Sequence, residues 1–147
     1  MNTIQICDSL EEGNHRQLRE ALPGVALVQV IHVNGPDSLD EAVALAPHVD
    51  AILLDSGNRT AAIKELGGTG RVHDWNLSKQ IREAVDVPVF LAGGLDSVNV
   101  AAAIEQVRPF AVDVCSGVRT QGRLDQNKLA HFFEAVRHSN SVIEQRL

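Results

Sequence analysis

The sequence predicts an α/β fold built on a parallel sheet. Three observations carry that expectation. Short apolar runs rich in β-branched residues alternate with helical stretches five times along the 147-residue chain. Several runs are apolar throughout rather than alternating, as strands buried on both faces should be. The stretches between them repeat apolar residues at helical spacing.

The first strand is expected at Thr3–Cys7. Ser9 and Glu12 then form a capping-box pattern that opens a helix. A second strand follows at Ala26–Val33, and Ser38 with Glu41 repeats the capping-box pattern. The third strand is Ala51–Asp55; after a long loop, Asp74 caps the helix "WNLSKQIREA". Val89–Ala92 is the fourth strand. The helix after it places Val100, Ala103, Ile104 and Val107 on one face for core packing. Ala111–Cys115 is the fifth strand. The last helix does the same with Leu129, Phe132, Phe133 and Val136. Two architectures fit this order: an open doubly wound sheet, or part of a (β/α)8 barrel.

Composition narrows the function classes. The length is that of one domain, and 44% hydrophobic residues suffice for a core. The 19 acidic and 13 basic side chains give a net charge of -6 with no basic stripe, which argues against nucleic acid. One Trp, four Phe and no Tyr argue against a base-stacking platform. No apolar run reaches the length of a membrane span, and no signal-peptide pattern opens the chain, so a cytoplasmic location is expected. Cys7 and Cys115 are far apart and lack metal-ligand spacing; free thiols and no metal are expected. "ELGGTGRVHD" is neither a dinucleotide fingerprint nor a P-loop.

In parallel α/β folds the chemistry gathers at the carboxyl ends of the strands. Asp55 ends "ILLD", where a charge is costly unless it faces a cleft or a partner, so it is a candidate acid/base group. Gly93 and Gly94 follow the fourth strand and let backbone approach a ligand. Ser116 and Gly117 offer a hydroxyl and bare backbone after the fifth. Two such turns on consecutive final strands point to a phosphate. "GGTGRVHDW" lies in the long loop and reads as a lid or a plain connection; His73 within it is a candidate contact or a solvated side chain.

These residues together carry a resemblance. "ILLDSG", "GGTGRVHDW", "LAGGLDSVNVAAAI" and "RPFAVDVCSGVRTQGRLDQNKLAHFFEAV", in this order and spacing from Ala51 to Arg137, resemble the phosphoribosylanthranilate isomerase family; residues 1–50 match more loosely. The resemblance implies a TIM (β/α)8-barrel and a place in tryptophan biosynthesis. It implies the Amadori rearrangement of N-(5-phosphoribosyl)anthranilate to 1-(2-carboxyphenylamino)-1-deoxy-ribulose 5-phosphate. The reaction needs a general acid to open the sugar and a general base at C2. It needs no cofactor, because the anthranilate nitrogen serves as electron sink. By the resemblance Asp55 is the general acid, and Gly93, Gly94, Ser116 and Gly117 hold the phosphate.

The family's base is a cysteine ending the first barrel strand in a K-I-C-G setting. Cys7 in "IQIC" invites that assignment, but counting back from "DVCSGV" as strand eight makes this run strand four, whose family form is closer to V-Q-L-H-G. Cys7 then stands where a histidine is usual. Cys7 and Arg119, the latter where an acid is frequent, remain candidate substrate contacts. His73 replaces an aromatic. The expectation is one partial barrel domain over residues 1–147, truncated to strands four to eight and lacking the first three βα units with the base. A complete barrel takes about 200 residues or more. Open edges then predict a homo-oligomer or a complementing N-terminal segment as partner, beside a small phosphorylated aminosugar substrate. Two functions compete: an isomerase impaired in this chain, and a non-catalytic phosphate-binding or structural remnant acting through association. A histidine-pathway isomerase shares the twin phosphate turns but does not explain "GGTGRVHDW" beside "ILLDSG".

Overall fold

The computed structural model describes residues 2–56 and 73–144. Five strands form one sheet: β1 (Thr3–Ile6), β2 (Ala26–His32), β3 (Ala51–Asp55), β4 (Val89–Leu91) and β5 (Ala111–Val112). They lie in sequence order, each parallel to its neighbour. The helices between and after them are α1 (His15–Ala21), α2 (Asp37–Leu45), α3 (Trp75–Ala84), α4 (Val100–Val107) and α5 (Gln126–Glu144).

This order separates the two architectures. A doubly wound sheet reverses its strand order at a switch point and carries helices on both faces. Here the order never reverses, and the helices share one face. Leu27, Ile31, Ile52, Leu54 and Leu91 of the strands form one buried cluster with Ile81, Val100, Ala103, Ile104, Val107 and Phe132 of the helices. The opposite face holds a separate cluster of Val30, Leu53 and Ala92, with Cys7, Val28 and Phe90 against it. Successive strand residues point to opposite faces, so Asp55 and His32, paired in register, continue this second face at its carboxyl end. The winding is that of a barrel, but among the described residues β1 and β5 pair on one side only.

The strands fall close to where the apolar runs place them. The fifth is shorter than the predicted Ala111–Cys115. Asp113 N still donates to Leu91 O at 2.9 Å, but β4 has then turned away, and the chain enters a 3-10 turn at Ser116–Val118.

Two helix starts differ from the sequence pattern. Gly13 at φ +74 breaks any helix begun at Ser9. The capping box belongs instead to Asn14 and Gln17, each backbone N–H donating to the other's side-chain oxygen at 3.0 Å. Ser38 lies inside α2 and sends its hydroxyl to His32 O at 3.3 Å; α2 begins after Pro36, with Asp37 and Asp40 complementing its dipole. Asp74 caps α3 as expected, accepting from Asn76 N and Leu77 N. All four stripe residues of α4 are buried. In α5 Phe132 is buried but Phe133 is 50% exposed and meets Phe132 edge-on, so the predicted stripe is narrower by one residue.

The sequence pattern did not announce the small antiparallel ribbon β6 (Arg119–Thr120) and β7 (Arg123–Leu124), turned through Gln121 and Gly122, both at positive φ. No helix among the described residues is long and apolar enough to cross a membrane.

Candidate active site

The carboxyl ends of β3, β4 and β5 surround a cleft lined by Asp55, Ala92, Gly93, Gly94, Asp113 and Ser116. Asp55 closes β3 at 8% exposure, and its Oδ1 accepts from Ser56 N at 2.7 Å. Four of the residues singled out in the sequence thus meet: Asp55, Gly93, Gly94 and Ser116. Asp113 joins them because it shares β5's register with the cleft face, one residue past the strand proper.

Gly93 and Gly94 take positive φ values of +83 and +65. A side chain at Gly93 is excluded twice over: a Cβ there would stand 2.8 Å from Ser56 N and 2.9 Å from His73 Nδ1. Asn99 Nδ2 donates to Gly94 O at 2.9 Å and fixes how that peptide faces. At Gly117 a Cβ would run into the Leu95 carbonyl. The turns after β4 and β5 therefore touch, and only a glycine lets them. Gly117 is not among the residues that line the cleft, though its neighbour Ser116 is.

His73 is not a solvated loop histidine. Its Nε2 stands 2.7 Å from Ser78 Oγ, while the Ser78 hydroxyl is 3.3 Å from the Asp74 carbonyl. The Ser78 hydroxyl thus links the ring to the backbone at the start of α3. Burial lowers its pKa from 6.5 to about 4, against the opposing pull of the Asp55 and Asp74 carboxylates.

His32, on the strand beside Asp55, was missed. It is 2% exposed, with Nε2 at 3.1 Å from the Cys7 carbonyl. "VIH" carries a polar residue at a strand end just as "LLD" does, and the same logic applied to it would have found it.

Other sequence candidates sit apart. Cys7 has its side chain on the cleft face of edge strand β1, with Gln5 Nε2 at 3.7 Å from its sulfur. Arg119 is exposed and donates from Nη1 to Gly122 O at 3.1 Å, within its own ribbon. Both cysteines are free thiols. The glycines of "GGTG", residues 67–70, lie outside the described residues, so the lid reading does too. Among the described residues no group of three or more His, Cys, Asp or Glu side chains is arranged to hold a metal ion.

Residues 1–135 match the family profile described as N-(5'phosphoribosyl)anthranilate (PRA) isomerase. The N-(5'-phosphoribosyl)anthranilate isomerase of Methanocella arvoryzae is 43% identical over 123 residues, covering 83% of this chain and 55% of that relative. The phosphoribosyl anthranilate isomerase structure from Thermotoga maritima superposes with a TM-score of 0.72 at 30% identity, over 94% of this chain and 62% of that one. A phosphoribosyl anthranilate isomerase structure in complex with reduced 1-(o-carboxyphenylamino)-1-deoxyribulose 5-phosphate superposes at 0.69 with 27% identity, over 94% of this chain and 60% of that one. The chain thus spans little more than half the length of the Methanocella relative.

Proposed function

The chain belongs to the N-(5'-phosphoribosyl)anthranilate isomerase family, and from that premise we propose that it serves the Amadori rearrangement of N-(5'-phosphoribosyl)anthranilate. The observation that carries this reading is the buried Asp55 carboxyl beside the two touching turns. Asp55 is the general acid that protonates the ring oxygen. Gly93 and Gly94, with Ser116 and Gly117, hold the phosphate through backbone groups and a hydroxyl. Cys7, on the same face of the sheet, is a further candidate substrate contact, whereas Arg119 is engaged with Gly122 O in its own ribbon. No cofactor enters, and the location is cytoplasmic.

The five units correspond to the fourth to eighth of an eight-unit barrel, so residues 1–147 make one partial domain. The base then comes from outside these residues, on a complementing segment that carries the first three units. The open edges of the sheet favour a second reading, a phosphate-binding or structural remnant that acts only through association.

The deciding experiment mixes the chain with phosphoribosylanthranilate and follows the anthranilate fluorescence, with and without a polypeptide carrying the first three units of the Methanocella relative. The expected result is turnover only in the mixture. Asp55→Asn should lower it by about 10²–10⁴-fold, the worth of a positioned acid. Turnover that survives Asp55→Asn removes the acid assignment. No turnover in the mixture leaves the remnant reading.

A further inference from the structure

Cys7, His32 and Asp55 stand at or just past the ends of three consecutive strands, with side chains on the face away from the helices. His32 has no part in the mechanism above, yet it is 2% exposed. Its Nε2 lies 3.1 Å from the Cys7 carbonyl oxygen. A carbonyl oxygen only accepts, so Nε2 carries a ring proton, and in the neutral form of the ring Nδ1 holds a bare lone pair. That Nδ1 is buried and has no hydrogen-bond partner among the described residues. A buried acceptor left unmet is costly, and native structures rarely keep one without a use. The bond runs to the Cys7 carbonyl and not to its thiol, so the ring is not a base that activates Cys7 as a nucleophile.

A bare imidazole nitrogen repels phosphate and carboxylate oxygens and takes an O–H or N–H. Strands lie about 4.8 Å apart, so His32, two strands from β4, is about 10 Å from the Gly93–Gly94 turn. A pentose phosphate bridges that span. We infer that His32 is a specificity-determining residue whose Nδ1 accepts a hydrogen bond from a ligand hydroxyl on the β1 side of Asp55. This rests on the cleft being a sugar-phosphate site.

Nitrogen NMR of the imidazole rings in the 147-residue chain tests it, with ribose 5-phosphate and inorganic phosphate as probes. The expected result is an unprotonated Nδ1 in the free chain, whose resonance moves with ribose 5-phosphate and not with inorganic phosphate. His32→Phe should weaken ribose 5-phosphate about tenfold and leave inorganic phosphate unchanged, as the loss of one hydrogen bond predicts. His32→Gln, which keeps a donor for Cys7 O and offers an acceptor, should recover most of the affinity. A proton found on Nδ1 overturns the inference. So does an unmoved Nδ1 while the Gly94 amide shifts with ribose 5-phosphate; in that case the phosphate reading survives. If the Gly94 and Gly117 amides respond to neither probe, the phosphate reading fails and this inference falls with it.

Discussion

Burial keeps the His73 ring neutral, with a pKa lowered from 6.5 to about 4, and that has a consequence for stability. In the unfolded chain the ring takes a proton below about 6.5, while in the folded chain it does not until about pH 4. The unfolded state therefore binds more protons across that window, and stability falls as the pH drops through it. The slope is about 1.4 kcal/mol per pH unit, and the whole loss about 3 kcal/mol. Below about pH 4 the folded ring protonates too and the slope from this residue vanishes. Asp50 acts in a different window. Its carboxyl accepts from Leu27 N and pairs with Arg19, which lowers its pKa below 3.8, so its contribution is lost only under stronger acid. Urea unfolding from pH 7 to pH 4 should show the His73 slope in the parent chain and not in His73→Phe, which keeps a ring against Gly93. Equal slopes in both would assign the acid sensitivity elsewhere.

At the scale of elements, the end of β1 is held by side chains where its ladder stops. Gln29 Nε2 donates to Ile6 O at 3.1 Å and to Asp8 O at 3.2 Å, and His32 takes the Cys7 carbonyl between them. His15 of α1 meets Gln29 Oε1 at 2.9 Å, which ties the helix to the same point. Gln29→Leu matches the volume but leaves those carbonyls with fewer donors. It should cost about 1–3 kcal/mol and speed hydrogen exchange in β1 more than in α4. A uniform change across both would mean that Gln29 is a general core residue and not a clasp.

The clasp was not legible in "ALVQVIH", because the partners of Gln29 and His32 include the chain at and just past β1 and the His15 ring, brought together only by folding. The strands themselves were legible, since "AILLD" and "VFLA" have little other way to bury their surface. The glycine turns and Asp55 were legible because strand ends fix where polar groups must face. Helix starts were less so. The capping-box letters at Ser9 and Glu12 compete with Gly13, and a local pattern cannot show that the left-handed glycine wins. Ser38 likewise prefers the His32 carbonyl, a contact that exists only once the chain has folded.

The whole molecule presents a sheet wound like a barrel and open at both sides among its described residues. Both edges are short, four residues in β1 and two in β5, which limits runaway strand addition. The face away from the helices is apolar, but Val30, Leu53 and Ala92 on it are buried and Val28 and Phe90 partly so; the exposed apolar group beside it is Phe110. Val28, Val30, Leu53, Phe90 and Ala92 line it, and Phe90 meets the 72% exposed Phe110 edge-on at 5.6 Å. In a closed barrel that face is a packed interior, filled from the opposite strands. A net charge of -6 is modest repulsion against it. The chain should therefore associate with itself, through its open edges and the exposed Phe110, as its concentration rises. On the proposed partial-barrel reading, adding the first three units of the Methanocella relative should replace the self-associated species with a one-to-one complex, because those units would pair both edges at once. Sedimentation velocity over a wide concentration range reads both effects. A chain that stays monomeric at every concentration, with β1 amides as protected as those of β3, would mean that the sheet is satisfied without a partner. The remnant and complementation readings would then both lose their physical motive.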